Sequence, residues 1–304
     1  MKVGWLVNDQ LTGIPGTKTF WHDLLNNING LVDKTDGYTD YFILADKIEK
    51  EITVKSPDYI IRNATYFRYI YAQIKTISLL QDIRMDGLKN MQIDVCKKSV
   101  FTVFNSNYSR SFYPEIDNFK IIPLGVDDTK FVDINVTNEE RKELNIKDDC
   151  ILYIGDSSNN PKGFDKVIDL INKTDYNFCL VMKDDFKIDN PRVTVFNKID
   201  HTKLVKIMNS CMLGICTSVI ETQHLSGIEA MFTNLPMIAT NVGIYYDFID
   251  GKWGHKAEST DDFIRYIEII KSNTGFYSPR EFILGLGLDK KSCMLKWNAL
   301  INNL

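Results

Sequence analysis

Two glutamates and a lysine are the residues of this chain best placed to do chemistry. Glu221 and Glu229 stand eight positions apart in Ile220-Glu221-Thr222-Gln223-His224-Leu225-Ser226-Gly227-Ile228-Glu229-Ala230-Met231. The first leaves an apolar segment and the second lies one turn into a predicted helix. A short loop brings Glu221 back over the start of that helix, so both carboxylates can be aimed at one polyhydroxylated ligand. A sugar nucleotide has that form, with hydroxyls on sugar and ribose and a diphosphate between them. The helix N-terminus, with unpaired amides and the positive end of the helix dipole, suits the diphosphate. A plainer reading competes. Ser226-x-x-Glu229 also fits a capping box, with the serine as N-cap and the glutamate folded back on its amide, and Glu221 is then an ordinary loop residue.

Lys162 ends Gly155-Asp156-Ser157-Ser158-Asn159-Asn160-Pro161-Lys162-Gly163, which follows a predicted strand and runs into a helix. Glycine permits a tight turn there, and a lysine at a helix start binds phosphate as a point charge. The order of a Walker loop is missing, and a merely solvated lysine is the bland alternative. Gly13-Ile14-Pro15-Gly16-Thr17, after the first predicted strand, is a second candidate phosphate loop or a plain Pro-Gly turn. His22 and His255 have no partners at metal-ligand spacing and are assigned no role.

Such residues need strands that end side by side. Short apolar runs alternate with amphipathic helical patterns, the βαβ signature of parallel sheets. Strands are predicted at 2–7, 41–45, 77–80, 100–104 and 120–124, and again at 150–155, 177–183, 193–196, 212–217 and 236–239. Helices are predicted at 163–172, 201–209 and 260–272, and the polar stretch 128–149 reads as a domain boundary. Ligands of open parallel sheets sit beyond the carboxyl ends of the strands. Residues 8–17, 81–82, 105–106, 156–162 and 218–226 are therefore expected to line a cleft, and the glutamate loop falls among them. The last segment, 289–304, reads as a helix capped by Asp289, with a core stripe through Met294, Trp297, Ile301 and Leu304. Gly285-Leu286-Gly287 lacks a third glycine and precedes no βαβ unit, which disfavours a dinucleotide-dependent dehydrogenase.

Composition narrows the classes. A chain of 304 residues accommodates two ordinary α/β domains or one large one, and 44% hydrophobic with 25% charged residues is that of a soluble globular protein. A formal charge of −4 and a pI near 5.7 argue against nucleic-acid binding by broad phosphate neutralisation. Six scattered cysteines, several in apolar runs and none in a C-x-x-C pair, read as buried free thiols in a reducing compartment. The N-terminus has no secretory h-region and cleavage site, and no apolar stretch approaches the roughly 18 residues needed to span a bilayer. A cytoplasmic protein is expected, at most peripheral to a membrane.

Taken together, these segments resemble the retaining, nucleotide-sugar-dependent glycosyltransferases of the GT-B fold, family four. Val103-Phe104-Asn105-Ser106-Asn107-Tyr108-Ser109 and Ile121-Ile122-Pro123-Leu124-Gly125-Val126-Asp127 are similar to that family's interdomain signature. Ile151-Leu152-Tyr153-Ile154-Gly155 with Lys162-Gly163-Phe164 is similar to its strand and phosphate lysine. Glu221 to Glu229, then Ala230-Met231 and Pro236-Met237-Ile238-Ala239-Thr240-Asn241-Val242-Gly243, is similar to its E-x7-E segment and the strand that follows. The matches keep order and spacing from about Leu79 onward and are loose before it.

The resemblance implies roles. Glu229 would hold the ribose hydroxyls. Glu221 would face the transferred sugar and favour positive charge near its anomeric carbon. Lys162 would neutralise the leaving diphosphate, helped by the amides of Leu225 and Ser226. Gly16 and Thr17 would let the first domain approach the phosphates. No metal or other cofactor is implied, and the donor phosphate itself would take the acceptor's proton. Two positions depart from the family. Asp156 stands where an arginine is usual, and His224 where the loop has glycine. His224 either supplies part of the missing positive charge or is a satisfied packing histidine. Asp82 either orients an acceptor hydroxyl or caps a turn. The aromatic-basic stretch 66–75 either touches a lipid-linked acceptor or packs as a helix with snorkelling basic residues.

The expectation is thus an α/β protein of two Rossmann-like, doubly wound domains facing across a cleft. Residues 1–127 would form the acceptor-side domain, with helix 289–304 packing back on it, and residues 128–288 the donor domain. The activity would be retaining transfer of a hexose from a UDP- or GDP-type donor to a glycan, lipid-linked or protein acceptor, without a metal and with no nucleic-acid partner. An epimerase or phosphorylase would need an acid-base residue or cofactor lysine that has no obvious place. A catalytically silent homologue, binding nucleotide sugar or acting as a scaffold, is the alternative that Asp156 favours.

Overall fold

The computed structural model describes residues 3–6, 59–63, 75–83, 85–157, 160–249 and 251–304. The strand expected at 41–45 and nearly all of the 66–75 stretch lie outside them. The chain divides into two compact units, Met1–Gly125 with Lys291–Leu304, and Val126–Lys290.

In the first unit, β1 (Val3–Leu6), β2 (Tyr59–Asn63), β3 (Lys75–Leu80), β4 (Phe101–Phe104) and β5 (Phe119–Ile121) form one parallel sheet in that order. Strand β2 was not expected, because its apolar run is short and gives way to Arg62-Asn63. Helix α1 (Leu88–Lys97) links β3 to β4 and adds Val95 and Cys96 to a core with Leu80, Phe104, Tyr113 and Ile116. After β4 comes α2 (Asn107–Ser111), opened by a reciprocal capping box between Ser106 and Ser109. The closing helix of the chain runs from Lys290 to Asn302 and buries Cys293, Trp297, Leu300 and Ile301. Its buried face thus differs from the expected stripe, with Met294 and Leu304 only half-buried. Asp289 directly precedes that helix and bridges in parallel to Val126. Tyr59 Oη donates to the Leu304 carbonyl at 2.9 Å.

The second unit opens with α3 (Asn138–Glu143) and then alternates. The order is β6 (Cys150–Gly155), α4 (Phe164–Lys173), β7 (Asn177–Met182), β8 (Val193–Asn197), α5 (His201–Met208), β9 (Leu213–Cys216), α6 (Leu225–Phe232), β10 (Met237–Ala239), β11 (Gly254–Lys256), α7 (Thr260–Ser272) and α8 (Pro279–Gly285). Strands β6, β7 and β9 are near-continuous apolar runs because a parallel sheet is covered on both faces. On one face Ile151, Tyr153, Phe178, Leu180, Met182, Leu213 and Ile215 pack on Val167, Leu170 and Ile171 of α4 and on Phe263, Ile267 and Ile270 of α7. Each such side chain, fully buried, contributes about 2 kcal/mol to stability. Helix α6 lies against β9 and β10 and packs on α8. Strand β11, not expected, is three residues long, and only its first residue, Gly254, is buried.

Sheet order is β11-β10-β9-β6-β7-β8, all parallel. The chain enters at the centre, winds outward through β7 and β8, then returns to the other side of β6 with β9. Winding reverses between β6 and β9, and their carboxyl ends border the crevice where such sheets bind ligands. No helix among the described residues is long and apolar enough to cross a membrane.

Candidate functional site

Lys162 and Glu221 hang from the two strands that flank this switch point. After β6 the chain makes one 3-10 turn, Asn160–Lys162, and reaches Gly163 at φ +63. A Cβ on Gly163 would collide with the Thr217 carbonyl oxygen, so conformation and space both demand glycine there. That close approach lets Thr217 Oγ1 donate to the Lys162 carbonyl at 3.0 Å and the Val219 amide donate to the Pro161 carbonyl at 2.8 Å. The two bonds stitch the loop after β6 to the loop after β9. Across the seam Lys162 Nζ donates to Glu221 Oε1 at 2.5 Å, and Ser218 Oγ donates to the same oxygen at 3.1 Å. The pair is sheltered rather than buried, with side-chain exposures of 34% and 13%. A groove of about 490 Å³ opens beside the seam, lined in part by Gly163, Lys166, Thr217, Ser218 and Thr240.

Helix α6 begins at Leu225, with His224 as its N-cap at φ +69. Ser226 is therefore the second helical residue, and the competing Ser226-x-x-Glu229 capping box does not form. Glu229 sits on the fifth helical residue instead and is 9% exposed. Burial raises its carboxyl to about 8, and no hydrogen bond or charge among the described residues offsets that. A buried carboxyl without partners costs free energy unless a ligand supplies them. The first amides of α6, including those of Leu225 and Ser226, lack intrahelical acceptors.

His224 does not lend the positive charge considered for it. Burial pushes the ring down to about 4, so it is neutral near pH 7. Its Nδ1 lies 2.8 Å from Tyr245 Oη and its Nε2 3.2 Å from Ser226 Oγ. Half-buried Asp156 follows β6, and the next residue, Ser157, bonds Asp184 through its amide at 3.2 Å and through its hydroxyl. Asp82 belongs to the first unit, just beyond β3, where its carbonyl oxygen lies 3.3 Å from Tyr113 Oη. Gly16 and Thr17 lie outside the described residues.

Five of the residues singled out from sequence thus gather at one end of the second sheet: Lys162, Glu221, Leu225, Ser226 and Glu229, with His224 buried at their back. Ser218, Thr217 and Tyr245 were missed. Ser218 falls within the segment expected to line the cleft, but nothing in its type points to Glu221. Tyr245 is reached only through the fold.

Two parallel α/β sheets in one chain, the second doubly wound about a central strand, define the GT-B architecture of two Rossmann-like domains. No family model matches the sequence, and no curated protein matches it. Solved structures do. Sucrose-phosphate synthase from Thermosynechococcus elongatus aligns with a TM-score of 0.80 at 13% identity, covering 100% of this chain and 98% of that one. HepE from Anabaena, solved in complex with UDP-glucose, aligns with a TM-score of 0.77 at 16% identity over 100% of both chains. The lipopolysaccharide outer core galactosyltransferase WaaB, in its apo form, aligns at 0.73 and 12% identity, again over 100% of both. The likeness is one of fold.

Proposed function

We propose that this chain is a retaining glycosyltransferase, of the kind gathered in family four, that moves a hexose from a nucleotide-sugar donor to an acceptor hydroxyl without a metal. The observation that carries the proposal is the meeting of Lys162 and Glu221 at the switch point, with the buried carboxyl of Glu229, partnerless among the described residues, in the second turn of α6. A nucleotide sugar satisfies all of these groups at once. Its ribose hydroxyls would donate to Glu229, its diphosphate would take Lys162 and the amides of Leu225 and Ser226, and its sugar hydroxyls would reach Glu221. Gly16 and Thr17 would approach the phosphates.

The reaction follows from those positions. The bond between the anomeric carbon and the diphosphate oxygen breaks while the acceptor oxygen bonds that carbon on the same face. Lys162 and the α6 amides hold the charge that develops on the departing diphosphate. Glu221 holds the positive charge that develops on the ring, and the departing phosphate takes the acceptor's proton. Residues 1–127 with 289–304 would serve the acceptor, with Asp82 orienting its hydroxyl, and residues 128–288 the donor. HepE in complex with UDP-glucose makes a UDP-hexose the first donor to test. The acceptor would be a glycan, a protein or a lipid-linked glycan met by a cytoplasmic enzyme at a membrane surface.

Asp156 supports a second reading, a catalytically silent homologue that binds nucleotide sugar. Thermal-shift measurements with UDP-, GDP-, ADP- and dTDP-glucose, on wild type and Glu229→Ala, test the site, because a ligand of the folded state raises Tm by mass action. Stabilisation of wild type alone by one donor is expected, and no shift with any donor counts against both readings. Release of free nucleotide in the presence of an acceptor then separates enzyme from silent module.

A further inference from the structure

A histidine at the left-handed position before α6 is costly for the backbone, and what its side chain does there is visible in three aligned groups. Tyr245 Oη meets His224 Nδ1 at 2.8 Å, and His224 Nε2 meets Ser226 Oγ at 3.2 Å. Tyr245 is fully buried, stacked on Trp253 at 5.2 Å between ring centroids and edge-on to Phe248 at 5.8 Å. Gly227 leaves the room for this contact, since a Cβ there would collide with both Tyr245 Oη and His224 Nδ1. The line of groups is therefore rigidly built.

Burial fixes the direction of its hydrogen bonds. Tyr245 Oη has no other partner among the described residues, and burial keeps the phenol protonated. If it only accepted, its own proton would be left unpaired in the core. It therefore donates to Nδ1. A neutral ring that accepts at Nδ1 carries its proton on Nε2, which donates to Ser226 Oγ. The Ser226 hydroxyl is left with a free proton at the first turn of α6, half-buried, among the unpaired amides. In the reverse arrangement Ser226 would donate to Nε2 and turn only lone pairs toward an anion.

We infer that Tyr245 and His224 are positioning residues that lock the Ser226 hydroxyl as a hydrogen-bond donor to an anionic oxygen at the N-terminus of α6, the diphosphate of a nucleotide ligand. That anion's identity rests on the function proposed above; the proton arrangement does not. The histidine thus replaces a cation with an oriented dipole.

Two measurements test this. Nitrogen-15 NMR of histidine-labelled protein, with the His224 signals assigned by their loss in His224→Gln, is expected to show Nδ1 bare and Nε2 protonated near pH 7. A ring protonated on Nδ1 overturns the inference. Calorimetric binding of UDP to wild type, Tyr245→Phe, Ser226→Ala and the double variant supplies the second readout. Each single change is expected to weaken UDP binding, roughly tenfold for Ser226→Ala, with the double variant no weaker than Ser226→Ala alone. Additive losses overturn the relay. A wild type that binds no UDP, with the expected tautomer in place, overturns the diphosphate as the anion.

Discussion

Replacing Glu229 by glutamine keeps the shape of a buried side chain in α6 and removes its titration. Burial alone holds the folded carboxyl near 8, against the ordinary glutamate value of 4.5. Between those values the folded chain keeps a proton that the unfolded chain releases, so stability falls as pH rises through the window. The loss is absent below 4.5 and complete above about 8. At about 1.4 kcal/mol per pKa unit, it amounts to about 1 kcal/mol near pH 5.5 and about 4 kcal/mol near pH 7.5. Glutamine carries no such loss. Glu229→Gln should therefore gain about 3 kcal/mol on wild type between those pH values, which widens the Tm difference by roughly 5–10 °C for a unit of this size. Thermal unfolding of both proteins without ligand, across that range, is the assay. A Tm difference that stays constant with pH would refute the reasoning, because Glu229 would then be ionised and paired in the empty site. Ribose hydroxyls that favour the carboxylate would also expel its proton, so wild-type UDP affinity should rise with pH while that of the variant stays level.

Three further changes probe the seam. Lys162→Ala should lower turnover about a hundredfold or more while leaving the circular dichroism spectrum unchanged, since the side chain is a third exposed and its proposed task is electrostatic. Gly163→Ala places a Cβ against the Thr217 carbonyl at a positive φ and should cost about 2 kcal/mol in urea unfolding. Glu221→Gln should act with opposite signs on two readouts. It frees Lys162 and so tightens binding of UDP alone in calorimetry, yet lowers glycosyl transfer in a nucleotide-release assay.

Much of the second unit was legible because burial on both faces writes strands as unbroken apolar runs, as in Ile151-Leu152-Tyr153-Ile154 and Phe178-Cys179-Leu180-Val181. Strands β2 and β11 escaped for the converse reason: one has a short apolar run, and the other, Gly254-His255-Lys256, has none. The spacing of Glu221 and Glu229 was readable, since both lie in one short segment. Their surroundings were not. Lys162 and Glu221 are 59 positions apart, and only the reversal of winding between β6 and β9 joins them. The capping box failed on a single residue. Chemistry assigns positive φ to glycine or asparagine, yet His224 adopts it, and the helix starts at Leu225 instead of after Ser226. The compensation is tertiary, a hydrogen bond to a tyrosine 21 positions away.

The ion pair at the seam also sets what the empty site will ignore. Lys162 and Glu221 are paired, so this lysine is not a bare cation awaiting every passing phosphate. Inorganic phosphate can take the lysine only by parting it from a sheltered carboxylate 2.5 Å away, which is then left with the Ser218 hydroxyl and no cation among the described residues. On the proposed function, a sugar nucleotide would bring a partner for each, phosphate for one and hydroxyl for the other, and would separate them without leaving either alone. Once the hexose had gone, the remaining nucleotide would answer only half of that demand. The pair would then close behind the departing product, which would make the same contact both a filter on entry and a spring for release.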